Sequence, residues 1–310
     1  VLRYALRRFG YMLITLWVII TLTFFMMHLL PGDPFSDIEK MSPEVRAKLL
    51  AKYDLDKPLP QQYLAYLSNI VQGDLGSSYK TSNREVNEII GTNFPVSARV
   101  GAQAIGAGLV VGLLLGIIAA LRQNTWIDYL AIFIAIVGVS IPNFVAATLL
   151  SYFIGVKMQF LGLPPAGWGT TAHTILPSFA LSLGMMALFA RMMRASMLDV
   201  IGQDYMRTAK AKGLNDFQIV VKHAIRNAIL PVITILGPMI VAIITGTIVI
   251  EQIFNLPGLG QYFVRSIYQN DYAVTMGLTI FYSSLLIVAL FVVDILYGVV
   301  DPRIRVGGRK

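Results

Sequence analysis

Side chains able to do chemistry are sparse in this chain of 310 residues, and their spacing forms no reaction centre. The three histidines, His28, His173 and His223, lie far apart, so no ligand spacing for a metal ion is present. The 17 acidic residues supply neither an HExxH pair nor a paired-carboxylate pattern, the arrangements that metal-assisted hydrolysis and acid–base catalysis use. There is no cysteine, which excludes disulfides, thiol nucleophiles and thiolate metal sites. The glycines of GAGLVVGLLLG, residues 106–116, lack the Lys-Ser or Lys-Thr of a phosphate-binding loop, so this chain does not hydrolyse ATP by that route. A proton-coupled carrier would place an ionisable group near the membrane midplane. Asp128, Glu251 and Asp294 instead fall near the ends of apolar runs.

What remains is a polar, basic segment from Ile201 to Pro231. Between Arg191 and Arg226 seven basic residues face three acids, Asp199, Asp204 and Asp216. The segment also carries Tyr205, Met206, Ala209, Ala211, Leu214, Phe217 and Val221, more apolar surface than a solvated linker needs. Ala209-Lys210-Ala211-Lys212 is good helix material, and Gly213 is a natural terminus or turn. A second helix restarts after Asp216, with Arg226 late in it, the order the helix dipole favours. Two short helices around Gly213 make a compact knob suited to a groove on a partner protein. A rival reading is a solvated loop whose charges only set topology.

The elements around this knob are membrane elements. Charged residues are 14% of the chain against 56% hydrophobic, and mean hydropathy is +0.67; soluble domains carry about 25% charged residues. Phe9 to Leu30 is an uncharged run following Arg3, Arg7 and Arg8, long enough for the roughly 30 Å hydrocarbon core and read as a first span. Further spans are expected over Ala98–Leu121, Leu130–Val156 with a kink at Pro142, His173–Phe189, Val232–Ile250 and Val274–Val293. Gly108, Gly112 and Gly116 recur every four residues, a helix-packing stripe. Proline and glycine in PGDP (Pro31–Pro34) stop the first helix. The extramembrane stretch 31–96 then reads as two short amphipathic helices separated at Lys57-Pro58, the second with a stripe of Tyr63, Leu64, Leu67 and Ile70.

Six spans put both termini on one side. With that side inside, 15 of the 25 basic residues and six of the 17 acids lie there, as the positive-inside rule requires. The expected architecture is therefore an all-α integral membrane protein: a first span over 1–30, a small helical extracellular insertion over 31–96, and a core over 97–310 with five more spans and the cytoplasmic segment 201–231. On the outer side, Glu251, Asn255, Arg265 and Asp271, with Pro257, Gly258 and Gly260 of NLPGLG, are candidates for an outer gate or a protein contact; capping of span ends is the rival role.

Seven stretches, in order, carry a resemblance that covers the whole chain: LRYALRR, HLLPGDP (His28–Pro34), GDLGSS (Gly73–Ser78), DYMRTAKAKGL (Asp204–Leu214), HAIRNAILP (His223–Pro231), EQIFNLPGLG (Glu251–Gly260) and DILYGVVDPRIR (Asp294–Arg305). The chain resembles a permease subunit of the binding-protein-dependent ABC importers, in the oligopeptide/dipeptide/nickel branch of OppB/DppB type. The resemblance implies the type I (MetI-like) permease fold and uptake of oligopeptides, with dipeptide, nickel or glutathione as alternative cargo. A secondary transporter or a membrane scaffold is the alternative of a different class. It implies no catalysis in this chain, since ATP and magnesium are bound by one or two separate ABC ATPase subunits. The other implied partners are a homologous second permease of OppC/DppC type and an extracellular solute-binding protein; nucleic acid is not among them. The implied location is a bacterial or archaeal cell (inner) membrane.

By the same resemblance, segment 201–231 is the EAA loop that seats in the ATPase. Its three-residue signature falls on Arg207, Thr208 and Ala209, of which the first two depart from Glu-Ala, and its glycine falls on Gly213. The coupling surface it implies comprises Tyr205, Arg207, Thr208, Ala209, Ala211, Gly213, Leu214, His223, Arg226, Asn227 and Pro231.

Overall fold

The computed structural model describes residues 2–29, 42–81, 84–245 and 248–300. The PGDP stop, the last five residues of the C-terminal motif (301–305) and the tail after it lie outside the described residues. Among those described, all regular structure is helical apart from a single bridge between Ser77 and Glu85. The chain divides into two compact units, one from Val1–Pro95 with Gly258–Phe291, the other from Val96–Pro257 with Val292–Lys310.

In the first unit α1 (Leu2–Leu29) is followed by α2 (Pro43–Lys52) and α3 (Leu59–Val71). Ser42 caps α2 by accepting from the Val45 amide at 3.4 Å, and Pro43 occupies the first helical position, where its missing N–H costs nothing. The separation at Lys57-Pro58 is as the sequence indicates, and Tyr63, Leu67 and Ile70 of the expected stripe are half-buried, but Leu64 is not part of the packed face. Tyr63 and Tyr66 stack on Phe24 of α1, with ring centroids 5.3 and 5.5 Å away. Thr21 and Tyr63 share a 2.7 Å hydroxyl contact, and Gln62 meets His28 at 3.1 Å. Leu64, expected in the packing stripe, is exposed. The reason is geometric: three adjacent positions cannot all face α1, and the tyrosines bury more aromatic surface there.

The GDLGSS stretch forms a strap. Gly73 and Gly76 take φ of +80° and +88°, a region that favours glycine, and the strap ends at Asp271, just before α14 (Tyr272–Val300). Ser78 donates its hydroxyl to Asp271 Oδ2 at 2.5 Å and the Tyr79 amide donates to Oδ1 at 3.1 Å. The same carboxylate accepts from the Val274 amide at 3.4 Å, so it caps α14 while holding the strap. Helix α13 (Leu259–Tyr268) is joined to this region by Arg84, whose guanidinium donates to the Tyr262 hydroxyl at 3.0 Å.

The second unit contains most of α4 (Val86–Leu121), then α5 (Trp126–Ser140), α6 (Asn143–Leu150) and α7 (Ala172–Ile201). The glycine stripe is an interhelical contact. A Cβ at Gly108 would lie 2.9 Å from Met185 Cβ, at Gly112 2.8 Å from Phe189 Cβ, and at Gly116 2.5 Å from the Ala190 carbonyl. The α4 and α7 backbones therefore approach to a distance that admits no side chain. The run expected as one kinked span over 130–156 is two helices meeting at 100°. Ile141 is extended and Pro142 lacks an amide proton, so the α5 ladder stops at Ile141, and Pro142 O accepts from Val145 and Ala146 to begin α6. Helix α6 runs on through a π-helical turn, Ser151–Lys157.

The fourth expected span, His173–Phe189, is longer than the hydropathy pattern suggests, since α7 continues past Arg191 and Arg194 to Ile201. The fifth, 232–250, is found as α11 (Leu230–Thr245) and α12 (Ile248–Ile253). Among the described residues four helices are long and apolar enough to cross a membrane, or up to six if each bent pair counts as one. The molecule is an all-α, multi-span membrane protein.

Candidate functional site

The Ile201–Pro231 segment folds as α8 (Asp204–Ala211), α9 (Asp216–Ile219), a π-helical turn (Val220–Ile225) and α10 (Arg226–Ala228). The turn between α8 and α9 is built on Gly213, at φ +80°, whose amide donates to Lys210 O at 3.0 Å. Asn215 then opens α9 with a reciprocal capping box: its side chain accepts from the Gln218 amide at 2.8 Å, and Gln218 accepts from the Asn215 amide at 3.4 Å. Pro231 is the second residue of α11, where a helix has no use for its amide.

One side of this knob is sealed by α7. Met193 and Met197 form a continuous core with Met206 and Ala209 of α8, Ile219 of α9, and Ala224, Ala228 and Val232 beyond them; Leu214 and Ile225 pack on its edge. Ala209 is only 5% exposed. This corrects one expectation from the sequence: its methyl packs inside the chain rather than being offered to a partner, because the amphipathic period of α8 turns Met206 and Ala209 to one face.

The opposite side is open. Tyr205, Arg207, Thr208, Ala211, Arg226 and Asn227 are exposed, Leu214 and His223 are half-buried, and Arg207 lies 3.9 Å from Asp204. Asn227 is held by a 2.8 Å bond to the His223 carbonyl. Phe217 is 76% exposed at the tip. In the sequence it stands only as one of several apolar residues of the segment. An aromatic set two positions after the α9 cap Asn215, with the exposed Val221 four residues on, was the signal available for it. An exposed aromatic side chain can fill a pocket on another protein and is of little use for catalysis.

The outer-side candidates are not held as one group by the contacts they make. Glu251, buried in α12, accepts from the Ser97 hydroxyl at 2.6 Å. Asn255 is exposed with φ +49° in a turn where the Gly167 amide donates to Phe254 O at 2.7 Å. Pro257 and Arg265 are exposed, whereas Gly258 and Gly260 are buried. Asp271 is spent on the strap and on the start of α14.

Two features were not visible in the sequence. Asp128 of α5 and Arg194 of α7 form a two-pronged ion pair at 2.6 and 2.7 Å. In the first unit a cavity of about 190 Å³ is lined by Phe24, Tyr53, Tyr66, Tyr79 and Met276. The Tyr66 hydroxyl is buried there without a partner, and burial pushes its pKa up, with Tyr79 adding to the effect. Among the described residues no group of three or more His, Asp or Glu side chains is placed to hold a metal ion.

Comparison with known proteins agrees with this geometry. Residues 112–306 match the family described as "Binding-protein-dependent transport system inner membrane component", and residues 1–101 match its N-terminal part. The chain is 49% identical over 303 residues to the dipeptide transport system permease protein DppB of Bacillus subtilis, covering 98% of each chain. It is 44% identical over 306 residues to the oligopeptide transport system permease protein OppB of Salmonella typhimurium, covering 98% of this chain and 99% of that one. A solved chain titled "Crystal structure of an amino acid ABC transporter with histidines" matches with a TM-score of 0.50 at 16% identity, over 67% of this chain and 93% of that chain, a likeness of fold alone. An apolar multi-span body, a basic knob and these relatives converge: the chain belongs to the binding-protein-dependent transport family, as an OppB/DppB-type permease subunit of a peptide-type ABC importer.

Proposed function

We propose that this permease imports oligopeptides, with its Tyr205–Asn227 knob seated in an ABC ATPase subunit that hydrolyses ATP on its behalf. The observation that carries the reading is the two-sided knob: a methionine core fastens it to α7, and Tyr205, Arg207 and Phe217 are left exposed. A surface fixed from within by that core, with aromatic and basic side chains left outward, is suited to receive force from a partner. The chain has no catalytic group of its own in this scheme, and ATP and magnesium stay on the partner. A second permease of OppC/DppC type completes the path, and an extracellular solute-binding protein delivers the cargo. The core is a six-span, MetI-like permease with both termini cytoplasmic, an orientation supported by the excess of basic residues on that side.

Transport then is a switch of two permeases between outward-open and inward-open packings, driven by closure of the ATPases. Dipeptide cargo is the second reading, favoured by the 49% identity to a protein named as a dipeptide permease. Reconstituting the chain with its partner subunits and measuring ATP-dependent uptake of a labelled four- or five-residue peptide tests the proposal, with dipeptide and nickel as competitors. Uptake needing both ATP and the binding protein, undisturbed by either competitor, is expected. Uptake of dipeptide or nickel alone would refute the oligopeptide assignment.

A further inference from the structure

The geometry points to Asp128 and Arg194 as a positioning clamp that carries the coupling movement from α7 into α5. Asp128 sits in the first turn of α5 with its side chain 1% exposed, and Arg194 lies on α7 with its side chain 24% exposed. The guanidinium donates Nε–H to Oδ1 at 2.6 Å and an Nη2 proton to Oδ2 at 2.7 Å. Oδ2 also accepts from the Asn124 amide at 3.0 Å, which fixes the carboxylate in the loop leading into α5. Such a planar fork specifies direction as well as distance.

The position of the clamp gives it its role. Arg194 is flanked by Met193 and Met197, the α7 residues that pack on α8 and α9. Arg194 meets α5 while those neighbours meet the knob, so α7 stands between the two. Elsewhere α5 meets α7 partly through small residues. A Cβ at Gly138 would lie 3.1 Å from Leu183 O and 3.4 Å from Ala187 Cβ, and Ala131 and Ala135 are buried on the same helix. Small residues let helices touch but hold no direction. The outward face of α5, with Trp126, Tyr129, Phe133 and Ile136, is exposed, so nothing there within the chain drags α5 along with α7. The two-pronged ion pair is the directional link that makes α5 follow.

This inference rests on the coupling role proposed above, and the experiment separates the two. In the assembled importer, peptide uptake, ATP turnover and ATPase co-purification are measured for Asp128→Asn, Arg194→Lys and Gly213→Pro. Asp128→Asn keeps the shape and one acceptor, so assembly and ATP turnover should stay within about twofold while uptake per ATP falls about tenfold. Arg194→Lys keeps the charge without the fork and should fall between; it serves as the test should Asp128→Asn fail to assemble. Since the chain contains no cysteine, Gly138→Cys with Ala187→Cys introduces one addressable pair at near-disulfide Cβ spacing. Oxidising that pair in the Asp128→Asn background should restore uptake, and reduction should remove it again. Wild-type uptake by both single variants, or a formed disulfide that restores nothing, overturns the clamp. If Gly213→Pro uncouples while the clamp variants do not, only the clamp is wrong. If Gly213→Pro also transports normally, the coupling role itself fails.

Discussion

Gly213 allows the coupling knob to be tested by backbone geometry alone. Its φ is +80° and a Cβ built on it meets nothing within 4 Å, so a substitution there is not opposed by packing. For Gly213→Ala the cost is the left-handed backbone, about 1–2 kcal/mol, a factor of roughly 5–30 in the population of the native turn. Gly213→Asn should cost less, because asparagine enters this region more readily than other side chains. Gly213→Pro cannot reach φ +80° and also deletes the amide that bonds to Lys210 O at 3.0 Å, for a cost of about 3 kcal/mol or more. Uptake per ATP hydrolysed should therefore descend in the order Gly, Asn, Ala, Pro, measured in proteoliposomes with the full complex. Binding-protein-independent ATP turnover should persist in the weaker members. A proline variant that imports peptide at the wild-type rate, or a series without this order, would refute the claim that the α8–α9 angle transmits force.

Three further outcomes are expected. Phe217→Ala should weaken co-purification of the ATPase by about 1–2 kcal/mol while leaving the melting temperature of the isolated permease unchanged, since the ring is exposed within the chain; an equal loss of thermal stability would place Phe217 in the core instead. Gly116→Leu forces a side chain where a Cβ would already lie 2.5 Å from Ala190 O, and should cost at least about 1–3 kcal/mol of stability in detergent. Gly106→Leu, where nothing lies within 4 Å, should be tolerated, and equal behaviour of the two would dismiss the close approach of α4 and α7. Single cysteines at the exposed Asn69 and Asn215 should react with an impermeant thiol reagent from outside only and from inside only, respectively; the reverse pattern would invert the topology.

Local chemistry was legible in the sequence, and pairing across distance was not. The glycines at 108, 112 and 116 announced a close helix contact because the helical period alone puts them on one face. Gly213 announced a turn because of what surrounds it, and Pro142 marked the break, although the 100° bend exceeded a kink. The Asp128–Arg194 and Ser78–Asp271 bonds join residues 66 and 193 positions apart, and no periodicity relates positions on different helices. Ala209 shows a third limit. Its place in a family signature pointed outward to a partner, but its own helix turns it toward Met193 and Met197. The length of α7 was missed because Arg191 and Arg194 looked like the end of a span. One of them is satisfied by Asp128, which lets the helix run on.

The joint between α7 and the knob is made largely of thioethers: Met193, Met197 and Met206 at its centre, with Met192 and Met239 at its edge. Methionine has flexible torsions and a polarizable sulfur, so this contact can repack between two arrangements without opening a void. The sulfurs of Met193, Met197 and Met206 are buried in this packing, so only a repacking that exposes them would admit oxidation. A peroxide reaching them would convert a dry, adaptable contact into one carrying polar sulfoxides. Import would then fail by stiffening of the joint before the helices lost their fold, and enzymatic reduction of the sulfoxides would return it. Redox damage would thus be written first into energy coupling, with the permeation path itself intact.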